Sequence, residues 1–239
     1  MYIYGKNVVK ETINSDTEII KAYVSKKSHD QELIHLIQSK KIKVDFVDDY
    51  RLDKIVNGKH QGFILEVSDI KTYDIEELFQ YNSTEYPTVV LLDHLEDPHN
   101  FGAIIRTCEA MGVMGIIIPK NRCVDINSTV VKTSTGAIQH IKIVRVANLN
   151  VAIKKLKEHG FWIIGTDMDG EDYQKIDYQM PICLVIGNEG HGMSHVVSLS
   201  CDKIAKIPMK GKVNSLNASV SCGMFLAMID AQRNLEWKN

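Results

Sequence analysis

Ile207-Pro208-Met209-Lys210-Gly211-Lys212-Val213-Asn214-Ser215-Leu216-Asn217-Ala218-Ser219-Val220-Ser221 runs from an apolar strand end, through a polar loop, into the start of the last helix. That helix is expected to bury Val220, Met224, Phe225 and Met228, which recur at helical spacing. At its mouth Ser215-Leu216-Asn217 sets a hydroxyl and an amide beside unpaired backbone N–H groups. Such a mouth is a good helix cap and equally a favourable anion site. The stretch alone does not decide between them, so the sequence upstream must.

Working back to Pro87, apolar runs alternate with helical patterns. Strands are expected at Thr88–Leu92, Gly115–Ile118, Ile141–Val146, Phe161–Gly165, Ile182–Ile186 and Lys203–Ile207. Helices are expected up to Met111, over Val151–His159 and at the chain's end. Continuous apolar strands interleaved with helices predict an α/β fold, a parallel sheet covered on both faces. Ligands in such sheets bind at the carboxyl ends of strands, and two further polar stretches fall there.

The first is Asp93-His94-Leu95-Glu96-Asp97-Pro98-His99-Asn100-Phe101-Gly102-Ala103-Ile104-Ile105-Arg106. Asp97-Pro98 marks a helix entry with Asn100 near its cap, and Phe101, Ile104, Ile105 and Cys108 form the buried stripe. Arg106 could pair with Glu109 three residues on, or hold a phosphate or a developing oxyanion with its planar fork. The second is Gly187-Asn188-Glu189-Gly190-His191-Gly192-Met193, where glycines after a buried strand let backbone approach a ligand. Glu189 at such a tip is either a solvated loop charge or part of a site. His191 and His195 lack a third ligand at recognisable spacing, so no metal is expected.

Residues 1–70 form a smaller α/β unit. Helices are expected at 6–14, Gln31–Ser39 and Tyr50–Val56, and strands at Ile19–Ser25, Lys43–Val47 and Gly62–Val67. Lys26-Lys27, Lys40-Lys41-Lys43 and Lys59-His60-Gln61-Gly62 are phosphate-contact candidates or simply solvated surface. Residues 71–86 are expected to be a linker with a short helix at Ile75–Phe79. The 239 residues are 44% hydrophobic and 24% charged, ordinary for a globular protein. Net charge is −2: residues 71–86 carry −3 while 1–70 balance, so the acidic excess is local. No apolar run is long enough for a membrane span, and five scattered cysteines without a CxxC pair predict reduced thiols in a cytoplasm.

Together the polar stretches resemble the three motifs of the SpoU (TrmH-type) RNA 2′-O-ribose methyltransferases, over about residues 88–235. Asn-x-Gly-x-x-x-Arg stands as Asn100, Gly102 and Arg106; Gly-x-Glu-Gly-x-Gly as Gly187, Glu189, Gly190 and Gly192. Ile-Pro-Met and Ser-Leu-Asn-x-Ser-Val stand as Ile207 to Met209 and Ser215 to Val220, with Ser221 where many members have alanine. Residues 1–70, with His60-Gln61-Gly62, resemble the family's optional N-terminal RNA-binding domain. The resemblance implies a SPOUT-type methyltransferase domain at 87–239 whose parallel sheet is tied in a deep trefoil knot. It implies S-adenosyl-L-methionine bound bent in the knot loops, by position at Thr166, Gly187, Asn188, Gly190, Ile207 and Leu216. It also implies catalysis by Asn100, Arg106, Glu189, Ser215 and Asn217, with Arg106 stabilising a ribose alkoxide and the others orienting it and the substrate. A homodimer acting on RNA follows as well, closest to the 23S rRNA guanosine enzymes, with tRNA the alternative substrate. A non-catalytic RNA-binding or ribosome-assembly protein is the reading from another class.

Overall fold

Every residue of the runs 88–92, 115–119 and 182–186 is buried, since each is apolar on both faces and must be covered twice. The structure, a computed structural model, describes all residues except 16, 81–84, 213–214 and 235–239. In chain order the N-terminal elements are β1 (Tyr2–Tyr4), α1 (Lys6–Ile13), β2 (Ile19–Ser25), α2 (Gln31–Ser39), β3 (Val44–Val47), α3 (Asp49–Ile55) and β4 (Phe63–Val67). After α4 (Glu76–Phe79) come β5 (Thr88–Leu92), α5 (Pro98–Ala110), β6 (Gly115–Pro119), α6 (Ser128–Thr133), β7 (Lys142–Val146) and α7 (Leu149–Glu158). The chain continues through β8 (Trp162–Asp172), β9 (Ile182–Ile186), α8 (His195–Leu199), β10 (Lys203–Lys206) and α9 (Ala218–Asn234).

Two sheets result. The first, ordered β1-β4-β2-β3, is mixed; the second, ordered β10-β8-β9-β5-β6-β7, is parallel throughout. Side chains of the parallel sheet alternate between two apolar layers. Val90, Leu92, Ile116, Ile118, Leu184 and Ile186 face one layer, and Val89, Leu91, Ile117, Cys183 and Val185 the other. The first layer is shared: Ile3, Val9 and Ile13 of the N-terminal unit join one cluster with Val130, Val131, Phe101 and Ile104. Lys132 lies 5.7 Å over the Tyr4 ring at this seam. The segment before the second sheet is anchored too, by Tyr73 N donating to Ile143 O (2.9 Å) and by Phe79 stacked on His159 at 3.7 Å. Residues 81–84 of the expected linker lie outside the described residues.

Several expectations need correction. The strand expected at Phe161–Gly165 runs to Asp172, and its second half is polar, which hid it. Its ladder with β10 jumps from Gly165↔Ile204 to Glu171↔Ala205, so Thr166–Gly170 leave the pairing and swing outward. Gly170 passes so close to β10 that a Cβ would come within 2.6 Å of Ile204 O. The last helix buries Ala218, Cys222, Phe225, Leu226 and Ile229, whereas Val220 is 49% exposed and Met224 and Met228 are only half-buried. Apolar residues line more than one side of α9, so periodicity alone did not single out the face that meets α5. β1, α6 and α8 were not expected; three to six residues are too few for a period to accumulate.

All five cysteines are free, and Cys108, Cys183 and Cys222 are buried. Burial pushes the Cys108 and Cys183 thiols up, and Cys201 up to about 12. A raised thiol pKa leaves little reactive thiolate at pH 8. Burial raises the Cys123 thiol too, but Cys123 is only half-buried, so iodoacetamide at that pH should label it before Cys108, Cys183 and Cys222, which should react only after unfolding, as mass spectrometry would read. Rapid native labelling of Cys108 would contradict the packing of α5 on α9.

Candidate active site

Three strand ends converge, those of β5, β9 and β10, as a parallel sheet places its loops on one edge. After β9 the chain folds on itself: Asn188 N donates to Gly192 O at 2.9 Å and Gly192 N to Asn188 O at 2.8 Å. Asn188 Oδ1 accepts Gly190 N at 2.8 Å. Gly187 is required by contact, because a Cβ there would lie 2.4 Å from Gly192 C and Met193 N. Gly192 has φ +67°, a conformation L side chains rarely adopt.

Asn100 ties this loop to the others. It sits in the first turn of α5, 9% exposed and near the cap as the spacing suggested; the cap itself is Asp97, whose carboxylate accepts His99 N. Its Nδ2 donates to Glu189, while its Oδ1 accepts Asn217 Nδ2 at 2.9 Å and Ser219 Oγ at 3.4 Å. Asn217 Oδ1 in turn accepts Ser219 N at 2.9 Å at the mouth of α9. Glu189 is therefore no mere solvated charge: a carboxylate only accepts, so it fixes which way the Asn100 amide points. A bond of this kind to a charged group contributes about 1.5–3 kcal/mol.

Beside this network lies a cavity of about 800 Å³. Thr166, Gly187, Asn188, Glu189, Gly190, Ile207, Ser215 and Leu216 all line it, so those sequence-predicted residues share one wall system. Thr166 uses its hydroxyl on Val185 O at 2.9 Å. Asp167 and Met168, in the outward swing of β8, also line it, and Phe225 and Ala218 of α9 are among its apolar residues. The sequence reading missed them; the one available signal was Thr166-Asp167 following an apolar run. Val213 and Asn214 of the polar loop lie outside the described residues.

Arg106 is not brought to this cavity. Six residues beyond Asn100, it lies about 9 Å further along the helix and about a third of a turn round. It is exposed and opens onto a separate cleft of about 550 Å³ between α5 and the N-terminal unit, with Lys10, Asn14, Glu109 and His140. The Arg106–Glu109 pair does not form among the described residues. Nor do three His, Cys, Asp or Glu side chains gather anywhere among them as a metal site. No helix among them is long and apolar enough to cross a membrane.

Residues 87–227 match the SpoU rRNA methylase family, and residues 2–73 match the RNA 2′-O ribose methyltransferase substrate-binding family. YacO of Bacillus subtilis, named for the TrmH family of tRNA/rRNA methyltransferases, is 42% identical over 239 residues, covering 98% of this chain and 96% of its own. A Staphylococcus haemolyticus relative named for the same family is 42% identical over 238 residues, with 97% and 96% covered. Among solved structures, the SpoU methyltransferase AviRb of Streptomyces viridochromogenes, in complex with AdoMet, superposes with a TM-score of 0.86 at 23% identity, covering 98% of this chain and 90% of its own. An AdoMet-bound rRNA methyltransferase of Sinorhizobium meliloti gives 0.81 at 26%, with 98% and 87% covered. With both families matched in order along one chain, and the fold shared with these structures, this protein belongs to the SpoU (TrmH-type) RNA methyltransferase family.

Proposed function

We propose that the chain moves a methyl group from S-adenosyl-L-methionine to a ribose 2′-OH of RNA, with a guanosine of 23S rRNA the favoured acceptor and tRNA the alternative. The observation that carries this reading is the Asn100 amide, which joins all three motifs at the rim of a glycine-walled cavity. A cavity of about 800 Å³ suits a nucleoside-sized cofactor. Gly187 and Gly190 leave backbone open to it, Ile207 and Leu216 give apolar surface, and the Asp167 and Glu189 carboxylates suit a cationic ligand. S-adenosyl-L-methionine, when bound, supplies an electrophilic methyl on sulfur, so no metal is needed.

The protein's part is then to place the 2′-oxygen and stabilise the charge it gains. Glu189, Asn100 and Asn217 present a fixed set of donors and acceptors at the rim, with the Ser215 hydroxyl beside them. A guanidinium keeps its proton at neutral pH, so Arg106 acts electrostatically on the alkoxide or an adjoining phosphate and not as a base. Because Arg106 opens onto another cleft, one RNA must touch both clefts, or a second copy of the chain must complete the site. Homodimerisation is part of the proposal, supported by the exposed Val220 of α9, continued along the helix by the partly buried Met224 and Met228. The unit at 1–70 is assigned to RNA binding, supported by the substrate-binding family match; a cytoplasmic enzyme fits its free cysteines.

The decisive test is methyl transfer from labelled S-adenosyl-L-methionine to unmodified 23S rRNA and, separately, to tRNA, mapped by resistance to alkaline cleavage. One protected site in 23S rRNA is expected, with Arg106→Ala lowering kcat about 10²–10³-fold and leaving cofactor binding intact. Protection in tRNA alone would move the substrate; cofactor binding without transfer to either would favour a non-catalytic RNA-binding protein. Gly187→Ala should abolish cofactor binding by calorimetry, since its methyl has no room. In sedimentation, Val220→Glu should shift a dimer toward monomer.

A further inference from the structure

Asp93 follows β5 directly and is completely buried, the one fully buried carboxylate among the described residues. A buried carboxylate is costly unless its oxygens are occupied, and both are. One oxygen accepts Ser194 N at 2.6 Å; the other meets His94 Nδ1. Asp93 N donates to Ile186 O at 2.9 Å, carrying the β5–β9 ladder one residue past its last pair. His94, held at φ +59°, turns its own carbonyl to Asn188 Nδ2 at 2.9 Å. The segment from Gly187 to Ser194 is thus held from both ends by the two consecutive residues that follow β5. Beside Ser194, Met193 is 8% exposed and seats on Gly165, where a Cβ would come within 2.7 Å of Met193 Cε.

We infer that Asp93 is a positioning residue for the cofactor loop: its buried carboxylate, gripping Ser194 N, holds residues 187–194 in the shape that forms one wall of the cavity. Asn100 secures the tip of the same loop through Glu189, but nothing it does fixes the loop's base. The glycines that let backbone approach a ligand also leave the loop without stiffness of its own, so the shape must be imposed from outside. The identity of the ligand rests on the function proposed above; the restraint on the loop does not.

Two variants test the grip. Asp93→Asn keeps the shape but replaces one acceptor oxygen by a donor. Ser194→Pro deletes the N–H at a residue whose φ is −61°, the value proline adopts. The Ser194 side chain caps nothing, so Ser194→Ala is the control and should behave as wild type. Amide hydrogen exchange on cofactor-free protein should show Gly190 and Gly192 exchanging about tenfold faster in Asp93→Asn and Ser194→Pro, with α9 unchanged. In the same proteins the Kd for S-adenosyl-L-methionine should rise about tenfold, the size of one lost charge-assisted hydrogen bond, while kcat at saturation stays within about twofold. Wild-type loop exchange in a folded Asp93→Asn, or exchange raised evenly across the molecule, would overturn the inference. Failure of wild-type protein to bind the cofactor would instead overturn the proposed function, and leave the exchange comparison standing.

Discussion

One side-chain amide holds the cavity's rim together. Asn100 has a donor end and an acceptor end, and its neighbours leave no choice of orientation: Glu189 only accepts, so the NH₂ must face it and the oxygen must face Asn217. Asn217 then turns its own oxygen to Ser219 N at the opening of α9. The negative charge of Glu189 is thereby linked through two polarised amides to the positive end of a helix, and hydrogen bonds chained in this sense strengthen one another. Aspartate at position 100 could not do this, because it would set two carboxylates against each other.

The parallel sheet is what allows three distant stretches to share one amide. Residues 100, 189 and 217 come together only because β5, β9 and β10 run the same way and end on the same edge. β8 stands between β9 and β10, and it would bring its own polar end into that space if it continued straight. Instead Thr166–Gly170 leave the ladder and become a wall of the cavity, with Gly170 pressed against β10 where no side chain fits. Asp93 and Asn100, seven residues apart, then restrain the base and the tip of the loop opposite.

The N-terminal unit is part of this arrangement and not an appendage. Its residues Ile3, Val9 and Ile13 share a core with α5 and α6, so the helix carrying Asn100 and Arg106 is buried on the side of the sheet and bounded on another by α1. Arg106 opens between the two units, so the cleft beside it is walled by both.

The sequence by itself determined the layered architecture. Apolar runs such as Val89–Leu92 and Ile182–Ile186 have no polar face to turn to water, and a parallel sheet covered on both sides is the arrangement that satisfies them. It also placed the three motifs at strand ends, because Asn100, Glu189 and Asn217 each follow such a run. Pairing was decided only in three dimensions. Whether Arg106 would meet Glu109 or the cavity depended on helix phase and on what packed beside it, and it meets neither. The face of α9 that is buried depended on where α5 lies, since apolar residues line more than one side of the helix. The burial of Asp93 could not be read from a charged residue after a strand, a position that is ordinarily solvated. It becomes legible only when the loop from β9 arrives to cover it, because hydrogen bonds between residues a hundred positions apart leave no local pattern.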